Sequence, residues 1–306
     1  MRGQSEHGIS TEKFAAISSL PIWSGALKLS PLTGGISNES WVVTDSIKSR
    51  VVRFGDDYPF HHVDRAHESM VARAAHAAGF SPEVITTVPG MMVTQFLEAR
   101  TYDADSVRKS IQELSALVKA FHQTMPQHVS GYARLFWVFH VIRDYARTLQ
   151  IAGMSETAEL SRFCQISKAL ESVQVPLPLI YGHNDLLPAN FLAADGRIWL
   201  IDFEYAGFST AMFDLAGLSS NSGFSRDQSL ELLEIYFGES PDPGLIRSLE
   251  AMQCASLLRE AMWSMVSECY LKAPGVDYEA YTAAQLEAFS QRLENYQIRY
   301  GKIPLS

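Results

Sequence analysis

Tyr181-Gly182-His183-Asn184-Asp185-Leu186-Leu187-Pro188-Ala189-Asn190-Phe191-Leu192 and Leu200-Ile201-Asp202-Phe203-Glu204 are the two neighbouring stretches that decide the fold. Between them, apolar residues flank Asp195-Gly196, and an Asp-Gly pair is a strong signal for a tight β-hairpin. We therefore expect residues 191–193 to pair with residues 198–201. This pairing would place Asn190 beside Asp202 at one end of a short ribbon, with Asp185 on the loop just before it.

The same stretch carries a pattern of catalytic residue types. His183, Asp185 and Asn190 have the spacing H-x-D-x-x-x-x-N, and Asp202 ends a predicted strand. Kinases use this arrangement because phosphoryl transfer needs a carboxylate beside the attacking hydroxyl and oxygen ligands that hold Mg²⁺ against the phosphates. The sequence thus predicts a phosphotransferase with Asp185, Asn190 and Asp202 as catalytic residues. We expect a structural role for His183, since a base at Asp185 leaves it no chemical step.

The composition narrows the class of protein. The 306 residues are 47% hydrophobic and 19% charged, which is typical of a globular chain long enough for two domains. A formal charge of −9 disfavours nucleic acid or an anionic membrane as the main partner, because both require a basic surface. Three separated cysteines without a C-x-x-C pair indicate reduced, buried thiols. With no apolar run typical of a signal peptide or a membrane span, we expect a cytoplasmic protein; its oligomeric state stays open.

Residue patterns divide the chain into two parts. Residues 41–44, 50–54 and 91–96 are candidate strands, and residues 66–78 form a candidate helix closed by Gly79. After the polar residues 98–101 the apolar spacing becomes helical, beginning with Val107 to Phe121 and with Asp105 or Ser106 placed to cap. Further helices are expected near residues 132–149, 156–173, 229–237, 245–268 and 278–296. We therefore expect a nucleotide-binding lobe at 1–97 and a catalytic and acceptor-binding lobe at 98–306.

At the catalytic stretch the sequence resembles the choline/ethanolamine kinase family, within the wider aminoglycoside phosphotransferase group. The resemblance rests on residues 183–191, on Ile201-Asp202-Phe203-Glu204-Tyr205-Ala206-Gly207 and on Phe213-Asp214-Leu215-Ala216. It implies an α+β, protein-kinase-like bilobal fold with a small β-rich N-lobe and a larger, mainly helical C-lobe. It further implies that Asp185 accepts the proton of the acceptor hydroxyl, that Asn190 and Asp202 bind Mg²⁺, and that Asp214 braces the catalytic loop.

For the N-lobe the resemblance implies an ATP site. The segment 32–40, with Gly34, Ser37 and Asn38, is similar to the hairpin that covers the phosphates, where small residues let backbone N–H groups approach. Taken alone, this turn is equally typical of an ordinary hairpin. Four more residues are expected at the nucleotide: Arg53 facing the phosphates, Glu68 as its ion-pair partner, and Gln95 and Leu97 in the hinge beside adenine.

The expected acceptor is an amino alcohol, choline or ethanolamine. We expect Glu204, Tyr205, Asn221, Glu260 and Trp263 to line its site, because aromatic faces and carboxylates replace the lost hydration of an ammonium group. Trp263 aligns with a tryptophan that family members place against choline. Glu260 and Asn221 stand where eukaryotic members carry a second tryptophan and an acidic residue.

These departures leave other readings open. A second hypothesis keeps the kinase but changes its acceptor to thiamine, an aminoglycoside or a sugar. A third is that the protein is a non-catalytic scaffold that binds nucleotide. A metal site at His61, His62 and Asp64 is disfavoured, because adjacent side chains on an extended chain point apart. We expect a solvated or phosphate-proximal loop there.

Overall fold

A computed structural model describes residues 8–32, 38–153 and 157–304. Its first part is an antiparallel sheet with two helices, and the strands lie in the order β1-β2-β3-β5-β4. In chain order the elements are α1 (Thr11–Ser18), β1 (Lys28–Leu32), β2 (Glu39–Thr44), β3 (Ser49–Phe54), α2 (Arg65–Ala77), β4 (Val84–Val88) and β5 (Met91–Gln95). Successive side chains of a strand point to opposite faces, so Trp41 and Val43 of β2 are both buried. They pack with Ile17 of α1 in a separate apolar core.

The second part is mainly helical. Its elements are β6 (Arg100–Thr101), α3 (Ala104–Lys109), α4 (Ile111–Thr124), α5 (Val138–Ala152), α6 (Thr157–Glu171), β7 (Leu179–Gly182), β8 (Phe191–Ala194), β9 (Arg197–Leu200), β10 (Gly207–Thr210), α7 (Ala211–Asn221), α8 (Arg226–Phe237), α9 (Pro243–Tyr270) and α10 (Tyr278–Tyr300). Helix α9 is buried along most of its length and packs against α5, α7 and α10. A helix buried on nearly every side forms the centre of a domain core.

The predicted hairpin is confirmed. Strands β8 and β9 pair from Phe191 opposite Leu200 to Ala194 opposite Arg197. Both turn residues, Asp195 and Gly196, have positive φ angles of 53° and 71°, which is the backbone that an Asp-Gly turn of type I′ requires. A backbone hydrogen bond from Ile201 N–H to the Asn190 carbonyl, 3.1 Å, closes the open end of the ribbon beside Asp202.

The two parts share one interface through α2. Val71 and Ala75 of this helix belong to the same apolar core as the C-terminal helices, and Leu200 N–H donates to the carbonyl of Phe80 at 2.8 Å. The predicted α+β, protein-kinase-like fold with a β-rich first part and a helical second part is confirmed. The lobe boundary after Leu97 stays our assignment; the first sheet ends at Gln95, and β6 already pairs with β8.

Some local predictions were wrong. The helix expected after residue 105 is capped by Asp103, whose carboxylate accepts from Ser106 N–H, and it breaks at Ser110 into α3 and α4. The helix expected from residue 132 begins only at Val138, because the chain before it pairs with β10 through Phe136 N–H. Helix α7 was not predicted as an element. Of the three cysteines only Cys254 is buried, and the other two are half-buried. None of the helices in the described ranges is long and apolar enough to cross a membrane.

Candidate active site

One carboxylate, that of Asp214 on α7, holds the loop that leads to Asp185. It accepts from His183 N–H at 2.7 Å, from Asn184 N–H at 2.7 Å and from His122 Nε2 at 2.8 Å. Burial raises the pKa of Asp214, but the contacts with His122 and His183, of which the hydrogen bond from His122 has the largest effect, outweigh it and leave the pKa below its ordinary value. Asp214 is therefore an ionised, buried acceptor that fixes the loop one residue before Asp185.

Two side chains complete the support of this loop. Asn184 adopts a left-handed backbone with φ 60°, and its amide nitrogen donates to the carbonyls of Tyr205 at 3.1 Å and Gly207 at 3.2 Å. The buried ring of His183 lies 3.0 Å from the Ile201 carbonyl through Nε2. His183 thus contacts backbone on the strand leading to Asp202, in agreement with the structural role expected for it.

The three residues predicted to be catalytic converge. The amide nitrogen of Asn190 donates to the Asp185 carbonyl oxygen at 2.8 Å and lies 3.4 Å from Asp185 Oδ2. Asp202 follows Ile201, which is hydrogen-bonded to Asn190, and its own backbone is left-handed with φ 69°. An aspartate in this sparsely populated conformation is backbone strain of the kind that is found at functional sites.

Asp185 lies in an environment that changes its basicity. Its side chain is 12% exposed, and burial raises its pKa well above the ordinary value. The Arg259 guanidinium, with Nη1 3.9 Å from Asp185 Oδ1, opposes this rise, whereas Glu260 and Asp202 add to it. A carboxylate with a raised pKa is the stronger base, which suits a group that accepts a proton.

An ion-pair network joins strand β3 of the first sheet to Asp202, which follows the β8–β9 hairpin. Arg53 on β3 contacts Glu68 through Nη2 and Asp202 Oδ1 through Nη1, the latter at 2.9 Å. The Glu68 carboxylate is almost fully buried; burial works to raise its pKa, but Arg53 and then Arg65 outweigh that effect and lower it. The predicted pairing of Arg53 with Glu68 is therefore present, and it extends to the predicted metal residue.

Arg65, which no sequence pattern indicated as functional, forms the second half of this network. Its Nη1 lies 2.7 Å from Glu68 Oε2 and 2.9 Å from Glu204 Oε2, and its Nη2 donates to Asn38 Oδ1 at 2.8 Å. Glu204 also accepts from the Asn38 amide at 3.4 Å. Burial, followed by the Asp202 charge, raises the pKa of Glu204 to about 7. Glu204 therefore contacts Arg65 and Asn38 of the first part, and its expected place at the acceptor stays a prediction.

The structure describes two of the four remaining residues that were predicted at the nucleotide. Gly34 and Ser37 lie outside the described residues. Gln95 ends β5, and its backbone N–H donates to the Glu83 carbonyl at 2.8 Å. Leu97 is half-buried on the segment that follows. The hinge position of Gln95 and Leu97 stays a prediction.

Of the other residues predicted at the acceptor, Trp263 and Tyr205 contact each other, whereas Glu260 and Asn221 contact other residues, and the acceptor role of all four stays a prediction. Trp263 Nε1 donates to the Tyr205 hydroxyl at 2.9 Å, and the Trp263 ring stacks on His61 with centroids 5.2 Å apart. Glu260 accepts from the Tyr281 hydroxyl at 2.8 Å and from Arg259 Nη1 at 2.8 Å. Asn221 ends α7, where its amide approaches the Leu186 carbonyl at 3.5 Å.

The loop at His61 corrects one expectation. His61 is buried, with Nδ1 3.1 Å from the Tyr145 hydroxyl and Nε2 2.8 Å from Ser267 Oγ, so the solvated loop predicted there is wrong for this residue. His62 faces outward and pairs with Asp144 at 2.7 Å. Asp64 caps α2 by accepting from His67 N–H at 2.9 Å. The side chains of His61 and His62 therefore point to different partners and do not converge on one metal site.

Asn190 and Asp202 have the chemistry that a magnesium ion requires. Mg²⁺ in phosphoryl-transfer sites is usually held by one or two protein oxygens together with phosphates and water. Asn190 uses its amide nitrogen on Asp185, which leaves its carbonyl oxygen for a cation, and Asp202 keeps a side chain that is 29% exposed. Both residues therefore fit the ion.

Comparison with known proteins shows the family of this chain. The sequence model of the choline/ethanolamine kinase family matches residues 29–228. Protein LicA of Haemophilus influenzae is 25% identical over 214 residues, which are 68% of this chain and 62% of LicA. A protein named "Probable ethanolamine kinase" from Arabidopsis thaliana is 24% identical over 271 residues, covering 77% of this chain and 71% of that protein.

A solved structure extends the likeness to the fold. The crystal structure of a choline/ethanolamine kinase family protein from Mesorhizobium loti superposes with a TM-score of 0.73 at 26% identity, over 92% of this chain and 94% of that one. The prediction of a small-molecule kinase family is confirmed by these matches. The chain belongs to the choline/ethanolamine kinase family.

Proposed function

We propose that the protein transfers the γ-phosphoryl group of ATP to the hydroxyl of a small amino alcohol, such as ethanolamine or choline. The proposal is carried by one observation: the Asp185 carboxylate lies 3.4 Å from the Asn190 amide, beside an Asp202 that Arg53 holds at 2.9 Å. This is the set of base and metal residues that phosphoryl transfer to a hydroxyl requires. The family and the name of the Arabidopsis relative support an amino alcohol as the acceptor.

In the proposed reaction Asp185 accepts the proton of the acceptor hydroxyl. The hydroxyl oxygen bonds to the γ-phosphorus, the bond from that phosphorus to the β,γ-bridging oxygen breaks, and ADP leaves. Mg²⁺, held by Asn190 and Asp202, would neutralise charge on the β- and γ-phosphates. Arg53, whose guanidinium holds Asp202 Oδ1 at 2.9 Å, would supply positive charge beside the phosphates.

The support beneath the loop gives Asp185 its position. Asp214 fixes the backbone of His183 and Asn184, and the Asn184 side chain joins this loop to residues 205–207. Effective catalysis depends on holding the reacting groups in one geometry, and small displacements of a base cost large factors in rate. We assign this positioning role to Asp214 and Asn184.

The test is an acceptor panel with Mg-ATP, read by phosphorus NMR for a new phosphomonoester. We expect product with at least one amino alcohol, and the panel includes thiamine, an aminoglycoside and a sugar to separate the alternative acceptors. If product forms only with thiamine, the aminoglycoside or the sugar, that compound is the acceptor in place of an amino alcohol, and the proposed kinase activity stands. Product with none would contradict the proposed activity.

Asp185→Ala tests the proposed base. General-base removal lowers turnover by roughly a hundredfold or more, while ATP affinity should persist because Asp185 belongs to the acceptor side. Asp105→Ala is the matched control, since that carboxylate is 66% exposed on α3 and pairs only with Arg108 among the described residues. Full turnover in Asp185→Ala would remove the mechanism.

A further inference from the structure

The acceptor side of the site contains a buried cation, Arg259 on α9. Its side chain is 5% exposed, and its Nη1 donates to Glu260 Oε2 at 2.8 Å and lies 3.9 Å from Asp185 Oδ1. The guanidinium carbon lies 4.6 Å from the centre of the Tyr205 ring. Arg259 therefore contacts three residues of the acceptor side: the proposed base, Glu260 and Tyr205.

Part of this guanidinium has no partner. Nε and Nη2 are buried, and neither finds a hydrogen-bond acceptor among the described residues. A buried donor without an acceptor is unfavourable, and such groups are uncommon in folded proteins. These two N–H groups lie along one edge of the guanidinium plane, and this edge matches the two oxygens of a carboxylate in a bidentate contact.

In the same region, one face of the Tyr205 ring and one face of the Trp263 ring are already covered by other side chains. Arg259 lies over the face of Tyr205, and His61 stacks on Trp263, whose ring nitrogen donates to the Tyr205 hydroxyl. A trimethylammonium group is recognised by open aromatic faces, because cation–π attraction replaces its hydration. The charge that would occupy the Tyr205 face is supplied here by the protein itself.

We propose that the acceptor is an amino alcohol that also carries a carboxylate, a hydroxy amino acid, with its carboxylate held by Nε and Nη2 of Arg259. Its hydroxyl faces Asp185, and its ammonium is balanced by Glu260, so each charge of the zwitterion meets an opposite charge. This inference rests on the proposed function and narrows its substrate class. The chemical step is unchanged, with the proton passing to Asp185 and ADP leaving.

The experiment compares acceptors that differ only in the carboxylate. Ethanolamine is paired with L-serine and 3-aminopropanol with L-homoserine, choline is added as a trimethylammonium alcohol, and kcat/KM is measured for each with Mg-ATP. A site built to bind a polar group discriminates strongly against the analogue that lacks it. We expect at least one hydroxy amino acid to exceed its decarboxylated partner by about tenfold or more, and choline to be the poorest of the five.

Variants of Arg259 test the contact itself. Arg259→Met should abolish the preference for the carboxylate, and Arg259→Lys, which keeps the charge and loses the planar edge, should retain only part of it. The matched control is Arg247→Met, because Arg247 lies on the same helix, also covers a tyrosine ring, that of Tyr300 at 5.2 Å, and lies outside the site. Thermal melting with and without ATP shows that each variant is folded.

The outcomes separate this inference from the proposed function. If ethanolamine and 3-aminopropanol have kcat/KM values equal to those of L-serine and L-homoserine, the inference is overturned and the proposed amino-alcohol kinase remains. The same holds if folded Arg259→Met or Arg259→Lys keeps the full preference for the carboxylate. If Arg259→Met does not fold, the parent protein and Arg259→Lys decide. If no amino alcohol of either kind is phosphorylated, the proposed function fails and takes this inference with it.

Discussion

Replacing Asp214 by asparagine should weaken both the fold and the reaction. The carboxylate accepts from His183 N–H and His122 Nε2 through Oδ2 and from Asn184 N–H through Oδ1, all at 2.7 to 2.8 Å and all buried. An amide has only one carbonyl oxygen, so its NH₂ group must face at least one of these donors. The least costly orientation keeps the oxygen toward His183 and loses the bond to Asn184.

The magnitude follows from that loss. A hydrogen bond to a charged group contributes about 1.5–3 kcal/mol, and a buried N–H left without an acceptor costs about 1–3 kcal/mol. We therefore expect the free energy of unfolding to fall by roughly 3–5 kcal/mol, in the range found when one partner of a buried charged contact is removed. Asn184 precedes Asp185, so loosening it should also lower kcat by about tenfold to a hundredfold.

Urea denaturation followed by circular dichroism measures the stability, and ADP release measures kcat. Asp144→Asn is the control, because that carboxylate is 32% exposed and pairs with His62 and Arg147 at the surface, where an ion pair contributes about 1 kcal/mol or less. An Asp214→Asn protein that unfolds within about 1 kcal/mol of the parent, with kcat unchanged, would refute the bracing role.

Two further predictions concern the ion network. The folded protein raises the pKa of Glu204 from 4.5 to about 7, so the folded state binds a proton more tightly than the unfolded state does. The stability that this proton contributes is fully present below pH 4.5 and is lost as the pH rises through 7. Glu204→Gln should therefore gain stability relative to the parent, by up to about 3 kcal/mol, between pH 4.5 and 8 in urea denaturation, whereas a pH-independent difference would contradict the assignment. Arg65→Ala should weaken ATP binding by about tenfold in calorimetry, because the Asn38 side chain loses its hydrogen bond to Arg65. The control is Arg73→Ala, which removes an exposed arginine of the same helix that donates to the Val84 carbonyl and should leave ATP binding unchanged. Equal effects of the two substitutions would show that Arg65 has no specific role.

The sequence alone determined the local parts of this protein. The Asp195-Gly196 turn set the register of β8 and β9, and that register brought Asn190 to Asp202, because a two-residue turn leaves a hairpin little choice of pairing. The spacing of Asp185 and Asn190 on one short loop fixed their approach in the same way. The termination of α2 just before Gly79, which has a positive φ, was likewise determined locally.

The tertiary structure alone decided which distant charges meet. Arg65 on α2 reaches Glu204, and Arg259 on α9 reaches Asp185 and the Tyr205 ring. The spacing of apolar residues in the sequence does not predict these contacts, because each depends on how helices far apart in the chain pack around a common core. A buried charge requires a partner, but the sequence does not say which one, because that choice is made only when the surrounding apolar faces have closed and excluded water.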